Sequence, residues 1–209
     1  MKRYLRMPFV VMSLLLAFVV SGCAPALNIK YRPMENPDNH LASIPPVKIK
    51  LVNLADKRES MKDTVLIGEE RTGINIGGHD VRSAQPVSEI LREAMKAELT
   101  RSGHNVVEQN EDMLIRGELR YFWLKTEVNS EDGHTISDWD VTAEIKIYLE
   151  IVNAGTGKSE MFGPYYAKNN EKRYIQPDAN IMERIFEGAL GELIRRVSSD
   201  PKFATALKK

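Results

Sequence analysis

Cysteine is nearly missing from this chain. Cys23 is the only one among 209 residues, so no internal disulfide can form and no paired-thiolate metal site exists. Histidine is also scarce: His40, His79, His104 and His134 are scattered over predicted loops without a His-x-x-x-His spacing, so no metal site is expected. Excess charge of either sign is absent, with 29 basic against 29 acidic side chains. Residues 1–22 hold Lys2, Arg3 and Arg6 and no acid, and without them the balance is −3. A nucleic-acid partner is therefore not expected. The remaining composition, 43% apolar and 28% charged, is that of one ordinary globular domain with appendages. A domain of roughly 165 residues removes about 70% of its unfolded surface from water, enough for a core without staples.

One apolar run stands out. Residues 7–20 follow a basic start and precede Ser21-Gly22-Cys23. Fourteen residues at about 1.5 Å each cover only ~21 Å of a ~30 Å hydrocarbon slab, so an export signal fits better than a membrane span. Val20-Ser21-Gly22-Cys23 has the pattern of a bacterial lipobox. The small residues let the signal peptidase reach the backbone, and the free thiol of Cys23 receives a diacylglyceryl group. A lone cysteine in an exported chain is thereby explained. The only expected cofactor is this covalent lipid on Cys23, and several acyl chains at ~0.8 kcal/mol per buried methylene hold the chain on the bilayer permanently. Ala24 stands where enterobacterial inner-membrane lipoproteins carry Asp. By resemblance to that sorting rule, the expected address is the periplasmic face of the outer membrane, with the inner membrane as the alternative.

The expected organisation is a signal peptide over 1–22, a lipidated cysteine and Pro-rich tether over 23–46, and a single domain over 47–209. Pro25, Pro33, Pro37, Pro45 and Pro46 resist helix, and the tether would reach at most ~70 Å. Leu27–Arg32 alternates weakly and is an alternative edge strand. In the domain, Val47–Leu54 reads as a strand, Thr64–Glu69 as a short strand or loop arm, and 62–84 as a Gly-rich excursion of unassigned role. Residues 86–101 read as a helix, with Pro86 in its first turn and Gly103 as its stop. Asn105–Glu108 reads as a short strand and Asp112–Val128 as a long one placing Ile115, Leu119, Tyr121 and Trp123 on one parity. Asp132-Gly133 turns into a return strand with Trp139, Val141, Ala143, Ile145, Ile147, Leu149 and Ile151 on the buried side. A further strand over Lys158–Lys168 contains Pro164, which argues for an edge or bulge. A second helix over 178–198 is capped by Asp178, and Asp200-Pro201 starts a short final turn. The fold class is α+β: a mixed, mostly antiparallel sheet of about five strands with two main helices on one face.

No constellation marks an enzyme. Gly157-Lys158-Ser159 lacks the first Gly of a P-loop, with Val152 in its place, and a strand follows where a helix is needed. The stretch Gly73–Gly78 follows no convincing parallel strand and opens no helix. Glu131-Asp132-Gly133 with Asp138 and Asp140 concentrates carboxylates, but Val128 cannot serve as a calcium ligand. His79-Asp80 has no nucleophile to serve. No catalytic residue is assigned and the ligand site stays open. Tyr121, Trp123, Tyr165, Tyr166 and Trp139 lie on neighbouring strands, with core packing favoured over a ligand surface.

The lipobox, the Pro-bearing stretch, the strand Val47–Leu54 and the helix Ile90–Gly103 ending in Leu99-x-x-x-Gly103 resemble the YajG family of uncharacterised bacterial lipoproteins. The long hairpin and the tail Asp200-Pro201-Lys202-Phe203 agree, so the resemblance spans nearly all of the mature chain. It implies an envelope address and carries over no catalytic residues. Three functions remain in competition: a non-enzymatic lipoprotein whose domain binds an envelope protein or polymer, an auxiliary lipoprotein of an envelope lipid or solute transport system, and an envelope hydrolase.

Overall fold

Strict alternation from Val141 to Ile151 builds the spine of the molecule: every second side chain is buried and each intervening one is half exposed. The computed structural model describes residues 26–58, 63–71, 78–130 and 135–208. Its strands are β1 (Lys48–Leu51), β2 (Ala55–Asp56), β3 (Leu66–Glu70), β4 (His79–Arg82), β5 (Asn105–Val106), β6 (Met113–Ser130), β7 (Ile136–Asn153) and β8 (Ser159–Arg173). Its helices are α1 (Val87–Arg101), α2 (Ala179–Ser198) and α3 (Pro201–Ala206), with a 3-10 turn at Leu41–Ser43.

The eight strands form one sheet organised around β6. Along one side of β6 lie β1, β2 and β3, each parallel to it, and along the other lies β7, antiparallel to it over most of both strands. Strand β8 closes that side, β4 hangs antiparallel on β3, and β5 runs parallel on β1. The α+β class and the mixed, mostly antiparallel sheet agree with the sequence reading. The strand count does not. The expected strand Val47–Leu54 stops at Leu51, β2 forms just beyond its expected end by pairing with β6, and β4 rises inside the Gly-rich excursion because His79–Arg82 finds a partner in β3.

Helix α1 buries Val87, Ile90, Leu91, Ala94, Met95 and Leu99, a stripe of 3.6-residue period. Pro86 supplies its N-cap, and Gly103 turns the chain at φ +92°, a conformation that costs glycine nothing. Asp178 caps α2, its Oδ1 accepting from the Ile181 amide at 2.9 Å. The final turn is a helix of its own, since Asp200 caps α3 and Pro201 opens it. Phe186 of α2 stacks on Phe122 of β6 at 4.7 Å between centroids, and Phe203 of α3 meets Phe162 of β8 edge-on at 5.3 Å.

The segment expected as a tether lies on the domain wherever it is described. Leu27, Ile29, Leu41 and Ile44 are buried in the common core. The Leu27 amide donates to Arg82 O at 2.7 Å, and the Ala84 amide donates to Leu27 O at 2.8 Å, so Leu27 forms an isolated bridge with Ser83 at the edge of the sheet. Buried His104 holds the far end of the segment: the Val47 amide donates to its Nδ1 at 3.3 Å, which leaves Nε2–H to donate to Leu41 O at 3.1 Å. Apolar side chains between the prolines explain the outcome, because each hydrophobic group buried offsets the ordering of an otherwise free stretch.

Candidate functional site: an aromatic groove on the open sheet face

One residue in the middle of β6 decides what the uncovered face carries. Leu119 is opposite Ile147 and Tyr121 is opposite Lys146, so Arg120 and Tyr121 together oppose a single residue. This β-bulge resets the alternation. Before it Met113, Ile115 and Leu119 point into the core, and after it Phe122, Leu124 and Thr126 do. Tyr121 and Trp123, expected inside with Ile115, are displaced to the open face, where Tyr121 is 41% exposed. A second bulge shapes β8. Tyr165 is opposite Ile147 and Phe162 opposite Leu149, so Gly163 and Pro164 both lie across from Tyr148. Gly163 has φ +104°, and a Cβ there would stand 2.9 Å from the Tyr165 amide nitrogen. The expectation of an edge or bulge at Pro164 holds on both counts.

Between the two bulges the open faces of β6, β7 and β8 form a concavity of about 810 Å³. Its rows follow from the register: Tyr121, Lys146 and Tyr166 lie side by side across three strands, and Trp123 and Glu144 form the next row with Lys168. Tyr148, Met161, Glu118, Arg120, Lys57 and Arg58 complete the lining with Phe122. Arg58 anchors the end of β2. Its guanidinium forks onto Asp56 at 2.8–3.2 Å, and its Nη1 donates to Leu66 O at 2.6 Å, binding β2 to β3.

The electrostatics of the groove are uneven. Arg120 pairs with Glu118, Lys168 reaches Glu144 at 3.3 Å, and Arg58 is held by Asp56, so these charges are matched. Lys146 Nζ stands 5.9 Å from the Tyr148 ring centroid and, like Lys57, has no carboxylate within salt-bridge distance among the described residues. Burial raises the Tyr166 phenol above its ordinary range, and a hydrogen bond to Glu144 adds to the shift. Burial raises Tyr121 as well, with the Glu144 charge contributing. Both hydroxyls are neutral donors at physiological pH.

The other residues singled out in the sequence do not gather here. Tyr165 is buried and donates to Asp200 Oδ2 at 2.7 Å, tying β8 to α3. Trp139, near the start of β7, shares the inward parity of Val141 but is only partly buried. Gly157 lies in the turn between β7 and β8, as the hairpin reading of that sequence requires. Asp138 and Asp140 are satisfied by the Asn129 amide at 2.6 and 2.9 Å, and Lys172 reaches Asp138 at 2.9 Å. His79 and Asp80, expected in a loop, are on strand β4. Buried His104 likewise departs from a solvated loop position. Among the described residues no three His, Cys, Asp or Glu side chains converge on a metal position. Val20, Ser21, Gly22 and Cys23, most of the Gly73–Gly78 stretch, Glu131-Asp132-Gly133 and His134 lie outside the described residues.

Lys57, Arg120, Lys146, Tyr148 and Met161 were missed as groove residues. One signal pointed there: the apolar residues of β6 occupy odd positions up to Leu119 and even positions from Phe122, a change of phase that a flat strand cannot accommodate.

Comparison with solved structures places the fold. Protein XCC0632 from Xanthomonas campestris is 15% identical, with a TM-score of 0.51 over 83% of this chain and 91% of that one. Protein CT253 from Chlamydia trachomatis is 7% identical over 74% of this chain and 96% of its own, with a TM-score of 0.42. Lipoprotein GNA1162 from Neisseria meningitidis is 11% identical over 73% of this chain and 95% of its own, with a TM-score of 0.38. At 15% identity the likeness to XCC0632 is one of fold alone. No curated protein sequence matches. A family model described as "Uncharacterized lipoprotein" matches residues 50–208, more than half of the chain, and the chain accordingly belongs to that family, the YajG family of lipoproteins.

Proposed function

We propose that this protein is a lipid-anchored, non-enzymatic binding protein of the bacterial envelope whose ligand site is the aromatic groove on β6–β8. The observation that carries the reading is the bulge at Arg120. It places Tyr121 and Trp123 on the open face beside Tyr148, Met161 and Tyr166, where core packing would otherwise have claimed them. Large aromatic side chains gathered in an open concavity are a hallmark of recognition surfaces. The groove's two carboxylates are already engaged by cations, and neither a serine nor a histidine lines it, so the arrangement favours holding a ligand over transforming it.

Membership of a lipoprotein family supports attachment through acyl chains on Cys23, within the lipobox Val20-Ser21-Gly22-Cys23. Among the described residues no helix is long and apolar enough to cross a membrane. Ala24 favours the outer membrane, periplasmic face. The transport-auxiliary alternative needs an apolar groove between helices and sheet. That space is occupied by the Phe122–Phe186 stack and its fully buried neighbours, which favours the open face as the binding surface.

A photocrosslinking residue at position 166, compared with one at position 172 on the same strand, tests the site in intact envelopes. A specific adduct from position 166 alone is the expected result, and equal or absent labelling at both would remove the groove from the account. Fractionation of cells fed labelled palmitate, wild type against Cys23→Ser, tests the anchor. Label in the outer-membrane fraction, lost with Cys23→Ser, is expected.

A further inference from the structure

The groove's chemistry is more specific than a generic binding face. Three facts constrain the ligand. Aromatic and charged side chains stand side by side on the open face, Tyr121 and Trp123 next to Arg120 on β6 and Tyr148 next to Lys146 on β7; Tyr121 and Tyr166 flank Lys146 in one row; and Lys57 and Lys146 are the two cations of the lining without a carboxylate within salt-bridge distance among the described residues. The first two require a ligand that is apolar on its faces and polar around its rim. The third requires that it bring negative charge.

We infer that the groove binds an anionic saccharide, a chain of pyranose rings carrying carboxylates; this rests on the groove being the ligand site. The axial C–H faces of a pyranose pack on aromatic rings, while its equatorial hydroxyls point sideways to hydrogen-bonding groups. Tyr121 and Tyr166 stand two strand spacings apart, about 10 Å, and supply two such platforms with Lys146 between them. The Tyr166 phenol and the carboxylates of Glu118 and Glu144 are at the rim of the same concavity, positioned for hydroxyls. A carboxylate on the ligand completes the unmatched ammonium groups of Lys57 and Lys146, and the volume of about 810 Å³ lies within the usual range for small-ligand sites.

Other ligand classes fit less well. A buried acyl chain would strip water from charges on all three strands without compensating them. A phosphate ester usually finds backbone amides at a helix N-terminus or nest, and this lining is built from strand side chains. Cleavage of the saccharide is also disfavoured. Glu144 lies four residues along β7 from the partner of Glu118, about 13 Å, against the ~5–9.5 Å that paired glycosidase carboxylates require.

The test uses the full-length lipoprotein in detergent micelles and two tetrasaccharides: one of alternating N-acetylglucosamine and glucuronate, the other the neutral N-acetylglucosamine tetramer. Titration followed by calorimetry and by Trp123 fluorescence is expected to show saturable binding of the anionic chain, at least tenfold tighter than the neutral one, with the sugar recovered intact. Lys57→Gln with Lys146→Gln removes that preference and its salt dependence, and Tyr121→Ala with Tyr166→Ala removes binding of both. Circular dichroism spectra matching wild type verify that the variants are folded, as expected for side chains on the open face. Equal affinity for the two tetrasaccharides, or binding unaffected by all four substitutions, overturns the inference. If neither sugar binds while position 166 crosslinks a specific envelope component, the ligand class is wrong and the groove reading survives. If neither sugar binds and position 166 captures nothing, both fail.

Discussion

The Tyr31 hydroxyl donates to Glu98 Oε2 at 2.8 Å, joining a residue that precedes the first strand to the last turn of α1. Glu98 is 2% exposed and takes in addition the Arg101 guanidinium at 2.8 and 2.9 Å and the Asn39 amide at 2.9 Å. One buried carboxylate thus collects the helix end and two points of the incoming chain. Burial pushes the Tyr31 phenol well above its ordinary range, and the bond to Glu98 pushes it further.

Removing the two ends of that bond should have unequal effects. Tyr31→Phe loses one hydrogen bond to a charged acceptor, about 1–2 kcal/mol. Glu98→Ala leaves the Tyr31 hydroxyl without its acceptor, removes the partner of the Arg101 guanidinium and takes one of the two acceptors of the Asn39 amide, which keeps Ser102 Oγ at 3.0 Å, and should cost about 3 kcal/mol. Urea unfolding of the full-length protein measures both, and a Glu98→Ala loss no larger than that of Tyr31→Phe would deny the carboxylate its organising role.

His104 makes stability depend on pH near neutrality. Its burial disfavours the imidazolium and lowers its pKa below the ordinary value near 6.5, a shift the bond to Leu41 O only partly opposes. Below about pH 6.5 the unfolded chain takes up a proton that the folded chain refuses, so the contribution is complete above that pH and is lost as pH falls through the lowered folded pKa. The carboxyls held down by their partners, Asp138 by Asn129 and Lys172 and Glu150 by Arg116, act in a lower range. The difference between wild type and His104→Gln therefore isolates the imidazole. Expected is a stability gap that narrows from pH 7.5 toward pH 5.5; a constant gap would refute the lowered pKa.

Seating of Leu27 changes the reach of the anchor. With Cys23 acylated, only the four steps from Cys23 to Leu27 separate the bilayer from a residue fixed to Arg82 and Ala84, at most ~14 Å of chain. Neutron reflectometry of the protein on supported bilayers should find the domain layer directly against the headgroups. Leu27→Asp with Ile29→Asp, which releases the chain only as far as Tyr31, still held by Glu98, should open a gap of up to ~28 Å, the reach of the eight steps from Cys23 to Tyr31. A wide gap in wild type would show that the seat at Leu27 gives way on the membrane.

How much of this was legible in the sequence varied with the range of the interactions. Helices α1 and α2 emerged within a residue or two of their bounds, since stripe, cap and stop are all local. The inner run of β7 did too, because alternation of one strand is written along that strand. Strand β4 was hidden, because His79–Arg82 has only one buried side chain, Val81, and becomes a strand through β3. The groove was hidden for a related reason. A bulge is a relation between two strands, so the side on which Tyr121 emerges depends on what Lys146 faces. Proline in the segment before β1 suggested a free tether, yet Leu27, Ile29, Leu41 and Ile44 between the prolines were the stronger determinant.

The bulge yields the sharpest prediction, because it makes two single-residue deletions on one strand opposite in effect. Arg120 is the residue in excess, so its deletion leaves Leu119 opposite Ile147 and Tyr121 opposite Lys146 and keeps every later side chain on its present face. Its cost is the ion pair with Glu118, exposed enough to be worth under about 1 kcal/mol, and the local twist. Deleting Lys125, five residues on, removes a residue already in register with Thr142. It turns Thr126 outward and Glu127 toward the core, with an unpaired carboxylate buried as the result. Thermal unfolding should place the Arg120 deletion within a few degrees of wild type and the Lys125 deletion many degrees lower or unfolded. Tyrosine accessibility should find Tyr121 still exposed in the Arg120 deletion. If that deletion instead behaves like the loss of Lys125, the bulge does not set the phase of β6, and the groove loses its structural cause.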